Sequence, residues 1–393
     1  MEKDYRLRAI GGSVEDMRIA VVGGGPAGLF FAYLWKKRHP EAEVRVIEQN
    51  HADVTWGFGV VFSDRALDFL RTDALAIVDV ITPRMESWRN MMIELQGQPV
   101  EIDGIGFSAI GRLALLRLLQ QQARKAGADL RFGEAVQSVD ELGDVDLIVG
   151  ADGLNSVVRR SFEGDFKTSL SYGDNKFAWF GTTHRFETLT QTFVETERGV
   201  FNAHHYRFAP MLSTFLVECD RPTWMRCGFA TMTVEQSQAV CENVFAETLK
   251  GHPLISNKSI WRTFPWLWNQ RWHFRNMVLI GDALHTAHFS IGSGTRLALE
   301  DAIVLVKALE SENDIASGLE AFQQARYPIV ETLVAAARYS ADWYERFATH
   351  MLLDPLDFAY SYITRSGRID NTRLRETSPD FMSRYEASRE AKH

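Results

Sequence analysis

Three glycines spaced Gly23-x-Gly25-x-x-Gly28, with Glu48 20 positions beyond the last, are the first residues in the chain that could do chemistry. In that spacing the first glycine permits a tight turn and the second lets a pyrophosphate reach the backbone. The third packs a helix against a strand, and that helix's N-terminus offers free amides and a positive dipole. Glu48 would accept the ribose hydroxyls of the adenosine half, but the fingerprint alone does not separate NAD from FAD. Two later segments, Val149-Gly-Ala-Asp152-Gly153 and Val278-Leu-Ile-Gly281-Asp282, each run a buried type of strand into a carboxylate beside a glycine. His204 and Tyr206 lie two apart on a strand pattern, hence on one face. The histidines show neither H-E-x-x-H nor another metal-ligand spacing, so no metal is implied.

The elements that must position these residues follow from periodicity. Residues 18–22, 26–38 and 42–47 read as strand, helix and strand, a βαβ unit. A helix that Ser63 or Asp64 could cap comes next, then a helix over 112–126 and a strand over 145–149. From 176 to 219 the period changes to two, which predicts an antiparallel sheet. A helix over 233–249, a strand over 277–280 and helices over 298–309 and 321–347 complete the pattern, the last broken at Pro328. The expected fold class is α/β with an α+β insert. A Rossmann-like dinucleotide-binding domain, residues 17–170 and 270–348, is interrupted by an antiparallel sheet at 171–269 that would bind substrate. An extension, 1–16, precedes it and a helical tail, 349–393, follows.

With 393 residues, 46% hydrophobic and 24% charged, the chain has the composition of a folded protein rather than a disordered or fibrous one. A net charge of -8 repels nucleic-acid phosphates and anionic lipid. Cys219, Cys227 and Cys241 lack C-x-x-C spacing and read as free thiols of a cytoplasmic protein. The charge-free run 19–35 is broken by Gly23, Gly24, Gly25 and Pro26 and is too short for a comfortable membrane span. Residues 364–393 hold six arginines and one lysine among five acidic residues. They read as a solvated helical tail, with contact to CoA phosphates as the alternative.

The three motifs, in this order and at these separations, resemble the class A single-component flavoprotein aromatic hydroxylases, typified by 4-hydroxybenzoate hydroxylase, over about residues 17–348. The resemblance implies non-covalent FAD, with NADH or NADPH as a transient co-substrate. It also implies roles: Asp282 on a ribityl hydroxyl, the loop with Gly292, Gly294 and Thr295 around the flavin's pyrimidine edge, and Arg112 near the pyrophosphate and ribityl. Asp152 would organise the flavin and nicotinamide region. Family members commonly carry proline where this chain has Phe289. That variant, with Trp56-Gly-Phe-Gly-Val-Val61 and Ala203-His204-His205-Tyr206, is similar to a narrower branch. The branch holds salicylyl-CoA 5-hydroxylases, the monooxygenase half of 2-aminobenzoyl-CoA monooxygenase/reductase, and the indole hydroxylase of violacein biosynthesis.

The implied activity is hydroxylation of an electron-rich ring by O2 through a flavin C(4a)-hydroperoxide. The foremost substrate is an ortho-hydroxy- or ortho-aminobenzoyl-CoA, with a free aromatic acid or a tryptophan-derived indole as the alternative. A non-oxygenating flavin reductase or dehydrogenase and a flavin-bearing scaffold would share the same motifs. His288, His204 and Tyr206 are the expected catalytic residues, Trp56 and Phe289 the expected pocket walls, and His285 a structural support.

Overall fold

The computed structural model describes residues 16–63 and 68–392; the expected extension, apart from Asp16, and the capping role of Asp64 lie outside them. Arg18–Val22, Glu43–Glu48, Asp129–Phe132, Leu147–Gly150 and Met277–Leu279 form a parallel sheet, joined at one edge by the short antiparallel strand His273–Phe274. Arg18–Val22 is almost entirely buried, as a strand covered on both faces must be. Helices Pro26–Arg38, Arg112–Ala126 and Gly294–Ser311 share one hydrophobic core with this sheet. The strands' C-terminal ends carry the three glycine-rich turns.

The period-two region is the antiparallel sheet it predicts. Thr168–Thr182, Leu212–Cys219, Gly199–Ala209 and Leu189–Thr196 lie side by side in that order, and Arg262–Asn269 pairs with the first of them. The hairpin Met91–Leu95 and Gln98–Ile102 extends the same sheet, pairing in parallel with Leu189–Thr196. The antiparallel sheet therefore draws strands from outside 171–269.

Two further departures have plain physical causes. Helix Ile315–Tyr344 continues through Pro328, where a break was expected. Pro328 and Gln324 both lie on the exposed face, so the carbonyl that loses its amide partner turns to water. The tail is helical, at Pro355–Thr364, Asn371–Thr377 and Pro379–Ala391, but it is not simply solvated. Phe358, Tyr362, Leu374 and Phe381 are buried against Ile93, Ile102 and Phe193 of the antiparallel sheet. An apolar stripe on an otherwise charged segment is a docking face.

Glu218 on this sheet is 1% exposed; its Oε1 accepts from Asn175 Nδ2 at 2.8 Å and its Oε2 has no partner. Burial, with Glu345 nearby, pushes its carboxyl up to about 8, so it is protonated at neutral pH. The unfolded chain ionises this group near 4.5 and the folded chain does not, so its contribution is lost as pH rises from there to about 8. Glu218→Gln is expected to raise the melting temperature at pH 8 by roughly 5 °C, with no gain at pH 4. Parallel melting curves for both proteins across that range check it; an unchanged difference at every pH would show that Glu218 ionises normally.

Candidate active site

A cavity of about 360 Å³ opens where the C-terminal ends of the parallel strands meet the antiparallel sheet. One end is the first glycine-rich turn. Gly23 has φ +107°, packs on the Ala151 carbonyl, and donates its N–H to Ile47 O at 2.8 Å. Gly25 lines the cavity and caps helix Pro26–Arg38 without any side-chain hydrogen bond. Its first-turn amides are therefore left for a ligand. Glu48 holds the turn from behind: Oε2 accepts from Gly24 N at 2.8 Å, and Oε1 from Asn50 N at 2.8 Å.

At the other end, Gly281 turns with φ +61° and presents Asp282 to the cavity. Asp282 is open to the void yet surrounded by protein; burial raises its pKa, against the pull of Arg112. Arg112 lines the same cavity, and its buried Nε has no partner among the described residues. Burial lowers its pKa, with Asp282 opposing. A cation in the first turn of a helix opposes the helix dipole, so its placement points to an anionic neighbour. Beside it, helix Gly294–Ser311 also begins without a side-chain cap, and Gly292, Gly294 and Thr295 line the wall. Two uncapped helix N-termini, an orphaned guanidinium and an acidic side chain converging on one void match the charge pattern of FAD: pyrophosphate, ribityl hydroxyls and a flavin edge that becomes negative on reduction.

Several expected residues sit elsewhere. Asp152 does not line the cavity; its Oδ2 accepts from Val157 N at 2.6 Å and starts the helix Val157–Ser161, while its Oδ1 is buried without a partner. Burial raises its pKa. His288 does not line the void, contrary to the expectation of a catalytic residue on the pocket side. Its Nδ1 accepts from Ser290 N at 3.3 Å to cap the short turn Phe289–Ile291, and its ring packs on Phe264 and Trp266. Phe289 lines the cavity, and the His288 ring stands behind it in the core, 4.1 Å away between ring centroids. Burial, aided by Arg365, pulls the His288 imidazole down to about 3, so it is neutral. Trp56 is no pocket wall either. It is 38% exposed beneath Lys258, on a turn held outward by Asn257 donating to Thr55 O and Gly57 O. Trp179 lines the cavity instead.

His204 and Tyr206 do share a face, and both line the cavity. Tyr206 donates to Gly59 O at 2.9 Å and is pushed upward by burial, so its proton is committed to holding the strand Gly59–Ser63. His204 is buried and pulled down to about 3 by burial and Arg365; its Nε2 has no partner. His204 also lines a second cavity of about 470 Å³, which abuts the first along Val61, His204, Phe289, Gly292 and Ser293.

Two features escaped the sequence reading. Beneath the Asp282 turn, Asp301 accepts from His285 Nε2 at 2.9 Å, Arg326 Nε at 2.9 Å and Gly281 N at 3.1 Å, which places His285 as a support. Burial raises the Asp301 pKa, but His285 and Arg326 outweigh it and hold it below the usual value. A charge amid Leu297, Ala298, Leu299 and Ala302 on a buried helix was the available signal. Arg365, from the tail, donates to Ser340 Oγ, Tyr362 O and Ser290 O at 2.9, 2.6 and 2.7 Å, tying the tail to the Phe289 loop. The signal for it was the apolar stripe of the tail. Among the described residues no group of His, Cys, Asp and Glu could hold a metal ion, and no helix is long and apolar enough to cross a membrane.

Comparison with known proteins agrees with this geometry. Residues 143–337 match a family model described as an FAD binding domain. Salicyloyl-CoA 5-hydroxylase of a Streptomyces species is 39% identical over 89% of this chain and 70% of its own. The 3-hydroxy-4-methyl-anthranilyl-[aryl-carrier protein] 5-monooxygenase of Streptosporangium sibiricum is 36% identical over 90% and 95%. Protodeoxyviolaceinate monooxygenase of Chromobacterium violaceum is 32% identical over 89% and 94%. The solved structure of 2-methyl-3-hydroxypyridine-5-carboxylic acid oxygenase shares the fold, with a TM-score of 0.70 at 18% identity over 92% of this chain and 96% of that one. Identity sustained through both sheets, around a void whose polar groups await a dinucleotide, settles the matter: this chain belongs to the FAD-dependent aromatic monooxygenases.

Proposed function

We propose that the protein hydroxylates an aromatic acyl thioester, with an ortho-hydroxy or ortho-amino ring, para to that donor. The observation that carries the reading is the junction of the two cavities at His204 and Phe289. A ring at the junction lies against the flavin's place, and a tether on its acyl carbon has the second cavity to follow outward. The substrates named for two relatives, a salicyloyl-CoA and an anthranilyl group on a carrier protein, are of this kind.

The pyrophosphate of FAD is assigned to the amides after Gly25, with Gly23 and Gly28 shaping the turn and Glu48 taking the adenosine ribose. The ribityl is assigned to Asp282 and Arg112, and the pyrimidine edge to Gly292, Gly294 and Thr295. Asp152 supports this region by holding the Val157 amide, the first of the helix that Ser156 caps. FAD, reduced by NAD(P)H, supplies the activated oxygen, and the rest is the protein's work of orienting the ring and excluding water. His204 accepts a hydrogen bond from the ring's hydroxyl or amino group at Nε2, fixing which carbon meets the flavin. Its low pKa keeps the ring neutral near pH 7, so that one of its nitrogens is able to accept. Tyr206 and Phe289 form the walls that hold the ring flat. Overall, substrate, O2 and NAD(P)H with one proton give hydroxylated product, NAD(P)+ and water.

The test is flavin reduction by NAD(P)H, with product analysis under labelled O2, across salicyloyl-CoA, 2-aminobenzoyl-CoA, their free acids and a tryptophan-derived indole. Faster reduction and labelled product with a thioester are expected. His204→Ala is expected to lower the product formed per NAD(P)H by roughly tenfold or more without reducing flavin content. Stimulation by a free acid or the indole alone would overturn the thioester, and consumption without labelled product would overturn hydroxylation of these rings.

A further inference from the structure

The second cavity carries a charge pattern that the ring does not need. Arg296, Arg365, Arg368 and Arg373 line it, and among the described residues no aspartate or glutamate does, in a protein whose net charge is -8. Arg365 is spent on the neutral groups that anchor the tail, and Arg296 is paired with Glu300 at 2.7 Å. Arg368 and Arg373 are exposed and have no ion pair among the described residues. Like charges are crowded at this mouth: burial lowers the Arg368 pKa, and Arg296 and Arg373 lower it further. Guanidiniums set side by side without carboxylates raise the energy of the empty protein, and an anion of more than one charge relieves it. Guanidinium is also the group whose fork matches phosphate oxygens. Toward the junction the lining turns apolar, through Met91, Leu189 and Ile363.

We propose that Arg368 and Arg373, on the tail, bind the phosphate of a phosphopantetheine tether, while the acyl ring reaches His204 through the apolar throat. This inference rests on the thioester reading above and deepens it. A free aromatic acid offers one negative charge, next to the ring, and would leave these outer guanidiniums unanswered. The shared ligand chemistry is a pantetheine phosphate, which either coenzyme A or a carrier protein's prosthetic arm supplies. CoA adds a 3′-phosphate and a second phosphate in its diphosphate.

The experiment measures half-saturation for stimulated flavin reduction in the wild-type holoenzyme and in Arg368→Ala/Arg373→Ala. The probes are four thioesters of one aromatic acid: with pantetheine, with 4′-phosphopantetheine, with dephospho-CoA and with CoA. The wild type is expected to prefer 4′-phosphopantetheine over pantetheine by about tenfold or more, and the double variant to lose that preference. A further gain from dephospho-CoA to CoA that the variant also loses would assign the site to coenzyme A. No gain beyond 4′-phosphopantetheine would assign it to a carrier-borne arm. Arg368→Lys/Arg373→Lys is expected to restore part of the preference. Equal half-saturation for all four thioesters in the wild type, or a preference that survives in the double variant, would overturn the inference and leave the thioester reading standing. Stimulation by none of the four would overturn both.

Discussion

Gly28→Ala is expected to destabilise the protein by about 3 kcal/mol and to yield colourless material, whereas Gly25→Ala is expected to lose FAD while melting like the wild-type apoprotein. A Cβ on Gly28 would overlap the Gly23 carbonyl oxygen and stand 3.0 Å from Val21 Cγ1 and 3.1 Å from Ala151 Cβ. Those atoms belong to two adjacent central strands and to the turn itself, so none yields cheaply. A Cβ on Gly25 meets only the Ala151 carbonyl oxygen, at 4.0 Å, and otherwise projects into the void. It would occupy the volume assigned to the pyrophosphate, and the affinity for FAD is expected to fall by about tenfold or more. Thermal melts of the two apoproteins and FAD titration of each are the measurements. Normal FAD binding by Gly25→Ala would remove the pyrophosphate from this turn.

Asp301→Ala is expected to cost about 3 to 5 kcal/mol, the penalty for removing one partner of a buried ion pair. Asp301 is fully buried and Arg326 is 3% exposed, so the guanidinium would keep its 2.7 Å contact with Glu300 and a long 3.4 Å bond to Leu297 O. The same substitution frees the Gly281 amide and the His285 ring, both of which hold the Asp282 turn. Stability and flavin affinity should therefore fall together, in contrast to Asp282→Ala, which should weaken only the flavin. Urea unfolding of each apoprotein and FAD titration separate the cases. A midpoint for Asp301→Ala within experimental error of the wild type would mean that Arg326 is satisfied elsewhere.

The residues legible from sequence were those whose chemistry is carried by the backbone. Gly23, Gly25 and Gly28 act through conformation and space at fixed spacing, and the strands that bring them to the void are short apolar runs of recognisable period. Alternation likewise revealed the antiparallel sheet, and with it the shared face of His204 and Tyr206. Direction within a turn has no such period: nothing in His288-Phe289-Ser290 tells which of two adjacent rings enters the cavity. Nor does periodicity report that Trp56 sits on a loop whose outward course depends on Asn257, 200 positions away. The tail arginines failed for a further reason. Their charge reads as solvation until Phe358 and Tyr362 are seen docked on a sheet, which folds the cluster over a cavity.

The order of strands in the parallel sheet has a consequence for how the chain comes into being. Met277–Leu279 pairs with Leu147–Gly150, but all of the antiparallel sheet except the hairpin Met91–Leu95 and Gln98–Ile102 is synthesised between them. Until that late strand emerges, Leu147–Gly150, an entirely buried apolar strand in the finished protein, presents an open edge. Pairings so distant in sequence are slow to form, because loop closure precedes their reward. The nascent chain thus passes through a stage with a bare strand edge and without Asp282, which follows the missing strand and is assigned above to the ribityl. Yield in a host cell should then depend on chaperone capacity during translation more than on flavin supply.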